Sequence, residues 1–198
     1  MEDIKPFYQF LYKFVDLSLE EYQQIITPYI QIRRFKKKQV VTNAGEVENY
    51  FNFVLQGLVR KYYLMGEEEH TVQLAMEGHI IHSQDSFHSR TPSEFVVATI
   101  EPATFISITF DDLERIYSTN SKMERLGRLV ITFGMLQKDK RQTLMMKQSP
   151  RERFMHLVNN QNELLQRVPQ KYLASYLGIQ PETFSRFKHL VRGRKKEE

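Results

Sequence analysis

Gln170-Lys171-Tyr172-Leu173-Ala174-Ser175-Tyr176-Leu177-Gly178-Ile179-Gln180-Pro181-Glu182-Thr183-Phe184-Ser185-Arg186-Phe187-Lys188 decides how the rest of the chain is read. Leu173, Tyr176 and Leu177 recur at helical spacing and share one face, as do Phe184, Phe187 and Leu190 further on. Gly178 follows the first apolar run, where a left-handed residue closes a helix best. Pro181 suits the first position of a second helix. Ala174 is small where the two helices must approach. The pattern is that of a helix-turn-helix, whose second helix lies in the major groove of DNA. The same spacing also describes a plain helical hairpin inside a core, so the rest of the chain has to decide.

Charge favours the DNA reading. The net charge is only +4, but residues 149–198 hold ten Lys and Arg against five Asp and Glu, while residues 1–148 hold eighteen against nineteen. The basic surplus sits on the piece with the motif, as phosphate binding requires. A solvated tail at Arg192-Gly193-Arg194-Lys195-Lys196 accounts for part of it. The chain has no Cys, which excludes a disulfide framework, a thiolate zinc site and a cysteine-ligated iron–sulfur cluster. No apolar run approaches a membrane span, and the acidic, aromatic N-terminus is no signal peptide. A cytoplasmic protein with no membrane partner is expected.

Before the motif, the character of the sequence changes twice. Ile4 to Val15 reads as a helix, and Ser18-Leu19-Glu20-Glu21 as a capping box opening another. From about Ile32 onward, short β-rich runs are separated by turn signals such as Gln56-Gly57 and Met65-Gly66-Glu67, which predicts a β-barrel or jelly-roll. Thr109-Phe110-Asp111-Asp112 opens a further helix. Ser121 to Gln148 then reads as one long helix on the order of 40 Å. Met123, Leu126, Val130, Phe133 and Leu144 recur along it at coiled-coil-like spacing, with Gln137 and Lys140 as polar interruptions. Such a stripe serves either as a dimer interface or as cover for the barrel. The dimer is preferred, because a small barrel cannot usefully bury so long a stripe. Ser149-Pro150-Arg151-Glu152 combines a cap, Pro at the first position and a capping-box Glu, and marks a hinge. The fold class is therefore α+β: a sensor barrel with N-terminal helices over 1–118, a dimerisation helix over 119–148 and an all-α helix-turn-helix domain over 149–198.

Helices, barrel, long helix and C-terminal helix-turn-helix, in that order, resemble the Crp/Fnr family of bacterial transcription regulators over nearly the whole chain. Three stretches carry the resemblance: Phe35-Lys36-Lys37-Lys38-Gln39-Val40-Val41 with Gly45-Glu46, Tyr50 to Tyr63, and Leu173 to Arg186. The resemblance implies a cyclic-nucleotide-binding-like barrel, a homodimer joined by its long helices, double-stranded DNA with a palindromic operator, and RNA polymerase as a further partner. It implies that Glu182 and Arg186 read base edges with Ser185 between them, and that Lys171 and Thr183 hold phosphates. Arg can donate two hydrogen bonds to guanine and Glu can accept from cytosine. Lys188 and His189 join the phosphate set from helical spacing and charge. Phe184 and Phe187 are expected in the core.

The departures concern the effector. Cyclic-nucleotide members place Gly-Glu-Leu and later Arg-Ser/Thr-Ala where this chain has His79-Ile80-Ile81-His82-Ser83-Gln84 and Ser93-Glu94-Phe95. A Glu where the phosphate should sit repels it, so cyclic-nucleotide binding is expected to be lost. The barrel is expected to sense an unidentified small ligand or none, with His82, Ser83, Arg90 and Ser93 as the candidate pocket. Pro181 replaces a base-reading Arg of some members, so the operator should differ. No cofactor and no metal site is expected, and no enzymatic activity. Two rivals stand beside this reading: a cyclic-nucleotide-dependent regulator of the same fold, and a metal-dependent barrel enzyme using His70, His79, His82 and His88.

Overall fold

The computed structural model describes residues 4–194, with side chains as far as residue 189. The side chain of Leu190 and those of the basic tail Arg192 to Lys196 lie outside the described residues. The chain opens with α1 (Lys5–Tyr12) and the short α2 (Leu19–Glu21), which continues into a π turn and a 3-10 turn as far as Tyr29. The capping box at Ser18 is formed in both directions.

The strands are β1 (Gln31–Phe35), β2 (Val40–Thr42), β3 (Tyr50–Gln56), β4 (Val59–Met65), β5 (Glu68–Ala75), β6 (Val96–Thr99) and β7 (Ala103–Thr109). They pair as two antiparallel sheets, of order β1-β7-β3 and β2-β6-β4-β5, in place of a ring closed by hydrogen bonds. Gly57 joins β3 to β4 at a positive φ of 97°, and a Cβ there would lie 2.2 Å from the Pro102 carbonyl oxygen. Only Gly fits both constraints. Apolar residues of β3, β4, β6 and β7, among them Val54, Val59, Val97 and Phe105, fill the space inside. A helix not foreseen from the sequence, α3 (Gln84–Ser89), lies between β5 and β6.

α4 (Phe110–Thr119) starts on the Thr109 cap, and α5 (Ser121–Lys147) is the long helix. Gly127 lets α5 approach α4 closely: a Cβ there would meet the Tyr117 ring at 2.4 Å. Met123, Leu126 and Val130 are buried in the same cluster as Phe7, Phe53 and Ile106, so the chain's own sensor end covers the first half of the apolar stripe. Phe133 packs edge-on against Phe10 and Phe14, yet stays 40% exposed. Leu144 is half-buried, and Met135, Leu136 and Met146 face outward. Thus only the second half of α5 offers apolar surface to a partner.

α6 (Pro150–Asn160) begins on Ser149 with its capping box formed. α7 (Asn162–Arg167) follows. α8 (Gln170–Leu177) and α9 (Pro181–Arg194) complete the chain. The molecule is thus an N-terminal α+β domain, one long helix and an all-helical C-terminal region. Among the described residues no helix is long and apolar enough to cross a membrane.

Candidate functional site

The α8–α9 pair has the geometry its sequence requires. Gly178 ends α8 in the left-handed region at φ 62°, with its N–H returning to the Ser175 carbonyl. Leu173, Ala174 and Phe184 are fully buried, and Phe184 meets Phe154 edge-on at 5.2 Å. Phe187 also contacts Phe154. With its inner side thus fixed, α9 leaves Glu182, Arg186 and His189 exposed and Thr183, Ser185 and Lys188 half-buried. Lys171 is exposed on the first turn of α8, its ammonium 4.7 Å from the Tyr172 ring. Glu182 and Arg186 lie one turn apart and present adjoining side chains to solvent.

Arg153, on α6, holds this pair to α5. Its guanidinium is buried and donates to the carbonyls of Leu177 (2.9 Å), Gly178 (3.5 Å), Met145 (3.2 Å) and Gln148 (2.7 Å). These acceptors are the unsatisfied carbonyls at the C-terminal ends of α8 and α5, where a cation is favoured. Arg167 of α7 bridges back to the sensor end through Glu77 and Glu101, and also pairs with Glu163. Those carboxylates push its pKa up; partial burial raises that of Glu77, but Arg167 and backbone N–H groups, that of Gly57 among them, together outweigh it and hold Glu77 below the usual carboxylate range. Leu58, Leu74 and Ile100 from the sheet share one apolar cluster with Phe154, Leu164 and Leu173. Glu77, Glu101 and the sheet residues Leu58, Leu74 and Ile100 are not signalled by local sequence, because each lies far along the chain from the residues it meets.

The residues read as a ligand pocket divide into two groups. Arg90 is committed to structure: its guanidinium donates to the Glu48 carbonyl (2.7 Å) and to Asn49 Oδ1 (2.6 Å), and lies over the Phe110 ring. Ser93 donates to Ser83 Oγ at 2.7 Å. Glu48, missed in the sequence, is the buried hub beside them. Its carboxylate accepts from Thr42 Oγ1 and from the Ser83 and Tyr50 N–H groups, and burial raises its pKa.

His82 is different. Its ring is buried among Phe51 and Phe87, and neither nitrogen has a hydrogen-bond partner. Burial, aided by the nearby Lys61 charge, lowers its pKa to about 3. Lys61 of β4 points its ammonium at the His82 carbonyl, 3.2 Å away, and lies 5.4 Å from the Phe95 ring. Burial, with Lys138 of α5 adding repulsion, lowers the Lys61 pKa to about 8. The one feature that could have pointed to Lys61 is a charge in the middle of a strand expected to be half-buried.

The four histidines do not converge. His70 stacks on Tyr63, His79 is exposed in the turn after β5, and the His82 and His88 rings are 6.4 Å apart. Among the described residues, no three His, Cys, Asp or Glu side chains gather as metal ligands do. The metal-enzyme rival has no site there.

These features define a class by fold: a β-sheet domain joined by a long helix to an all-helical region. Residues 32–120 match the cyclic nucleotide-binding domain family. Comparison with the sequences of curated proteins gives no match. Among solved structures, the chain is similar to FixK2 from Bradyrhizobium japonicum at 17% identity and a TM-score of 0.69, covering 84% of this chain and 86% of that one. It is similar to CLP, the c-di-GMP responsive global regulator of Xanthomonas campestris, at 14% identity and a TM-score of 0.65, covering 98% and 93%. The catabolite activator protein of Thermus thermophilus matches at 18% identity and 0.57, covering 94% and 88%. Residues 32–120 therefore carry a domain of the cyclic nucleotide-binding type, and the chain as a whole shares its fold with these solved structures, the domain being followed by a helical region with a helix-turn-helix arrangement.

Proposed function

We propose that this protein is a homodimeric, sequence-specific DNA-binding transcription regulator, organised as a sensor (1–118), a dimer helix (119–148) and a DNA-binding region (149–198). The observation that carries the reading is the division of α9: Phe184 is buried, while Glu182 and Arg186 stand exposed one turn apart on the basic end of the chain. Arg186 and Glu182, with Ser185 between them, read base edges. Lys171, Thr183, Lys188 and His189 hold phosphates. Phe133, Met135, Leu136, Leu144 and Met146 form the dimer face, since Met123, Leu126 and Val130 are already covered. Two recognition helices then meet successive major grooves, about 34 Å apart.

Selection of bound duplex from a random pool tests this directly, and a palindromic site is expected. Arg186→Ala should then relax one base position at a cost of about 1–3 kcal/mol, while Lys171→Ala weakens all sequences alike. Recovery of no preferred site would overturn the reading.

The sensor is read as taking a small-molecule effector beside Lys61 and His82, because among the described residues the His82 ring has no hydrogen-bond partner and the Lys61 ammonium has one carbonyl but no carboxylate at ion-pair distance. Calorimetry with cyclic AMP, cyclic GMP and small organic anions checks it. Heat from none of them, together with unchanged operator binding, would leave the sensor a purely structural part.

A further inference from the structure

β5 is the outer strand of its sheet, so one of its sides lacks a strand partner. Exposed edges of this kind are normally blunted or covered. Here the pairing with β4 also slips: Lys61 is opposite Gln73 but Tyr62 is opposite Thr71, leaving Val72 as the extra residue of a bulge. A bulge disrupts the ladder locally and leaves the extra residue unpaired. The groups at this place are taken up by two side chains from outside the sensor. The Ser175 hydroxyl, on α8, accepts from the Thr71 N–H at 2.8 Å and donates to the Glu69 carbonyl at 3.0 Å. Arg141, on α5, donates from Nε to the Val72 carbonyl at 3.1 Å and from Nη2 to the Tyr176 carbonyl at 2.5 Å, and its guanidinium lies 3.5 Å from the Tyr176 ring.

Three elements therefore meet at one bulge: the sensor strand, the long helix and the first helix of the helix-turn-helix. α9 cannot turn independently of α8, because Phe184, Ala174 and Leu173 share one core and Arg153 ties the intervening turn. We propose that Arg141 and Ser175 are positioning residues for DNA recognition: they lock α8 to the β5 bulge and so fix the angle of α9 relative to α5. They act by setting the distance between the two recognition helices of a dimer. The inference rests on the regulator reading above.

The test uses the full chain and a series of palindromic duplexes, built on the selected half-site, whose half-site spacing changes one base pair at a time. The variants are Ser175→Ala and Arg141→Met, with Ser175→Thr as the hydroxyl-retaining control. Wild type should show a sharp spacing optimum. Both disruptive variants should flatten it while keeping the half-site sequence preference, and Ser175→Thr should restore it. Amide hydrogen exchange gives a second readout: loss of one hydrogen bond should speed exchange at Thr71 by about tenfold in Ser175→Ala. If wild type selects a palindrome and both variants keep its spacing optimum, or if Thr71 exchange is unchanged, the positioning role is overturned and the regulator reading stands. If wild type selects no duplex, both fall together.

Discussion

Arg153 is buried where α5 and α8 end, with four backbone carbonyls around its guanidinium, whereas His82 is buried in the sensor with neither ring nitrogen bonded. Both are polar groups taken out of water. One has exchanged its hydration for hydrogen bonds to helix ends, and so contributes to the architecture. The other has lost its hydration and gained nothing in return among the described residues, which costs stability. Lys61 resembles His82: its ammonium has one carbonyl at 3.2 Å and, among the described residues, no carboxylate at ion-pair distance, and burial has lowered its pKa to about 8 although Glu48 acts the other way. The seam between the two ends of the molecule is thus built to hold, and the sensor interior is built with polar capacity unused.

The largest effect should come from breaking the satisfied end of this contrast. Arg153→Met strands carbonyls at two helix ends, and should lower the free energy of unfolding by at least about 3 kcal/mol, read by urea denaturation. A loss under about 1 kcal/mol would show that water replaces the guanidinium freely, and the contrast would collapse.

At the unsatisfied end the expected signature is pH dependence. The His82 ring stays neutral in the folded state down to about pH 3, while the unfolded chain takes up a proton near its ordinary value of 6.5. The unfolded state then binds more protons between those values, so stability is full above pH 6.5 and falls as the pH drops. The slope should reach about 1.4 kcal/mol per pH unit from this group alone. His82→Leu removes no hydrogen bond and should flatten that slope with little loss at neutral pH. An identical slope in the variant would show that the ring is not held neutral.

The smallest effect on folding should come from the outer face of α5. Leu136→Asp touches a side chain already 53% exposed, so unfolding of the single chain should change by less than about 0.5 kcal/mol. Sedimentation equilibrium should nevertheless show a shift from dimer to monomer. Met123→Ala inverts the pattern: its side chain is wholly buried in the sensor-end core, and the cost should fall on folding, about 2–5 kcal/mol. The two substitutions lie on one helix, and their opposite outcomes would separate its two halves.

Local chemistry made much of this readable from the residues. The caps at Ser18 and Ser149 form as their spacing requires, Gly178 takes the left-handed conformation, and Phe184 is buried. The caps and the turn depend on neighbours within about four positions in the chain; the burial of Phe184 follows from its place on the apolar face of α9, completed by Phe154. α3 was not legible, because Gln84–Ser89 carries no apolar periodicity and is held by Glu48 through Ser83 and Ser86. The apolar stripe of α5 was visible, but its sequence could not say which half meets the chain's own sensor.

The sequence by itself determined the order of elements, their ends and the polar-versus-apolar division of α9, because capping, turn geometry and periodicity are local properties. Only the tertiary structure decided that Arg90 is bound into the sensor, that His82 and Lys61 come together, and that Ser175 and Arg141 meet the β5 bulge. Those contacts join residues as far apart as Thr71 and Ser175, and depend on where packing brings distant segments.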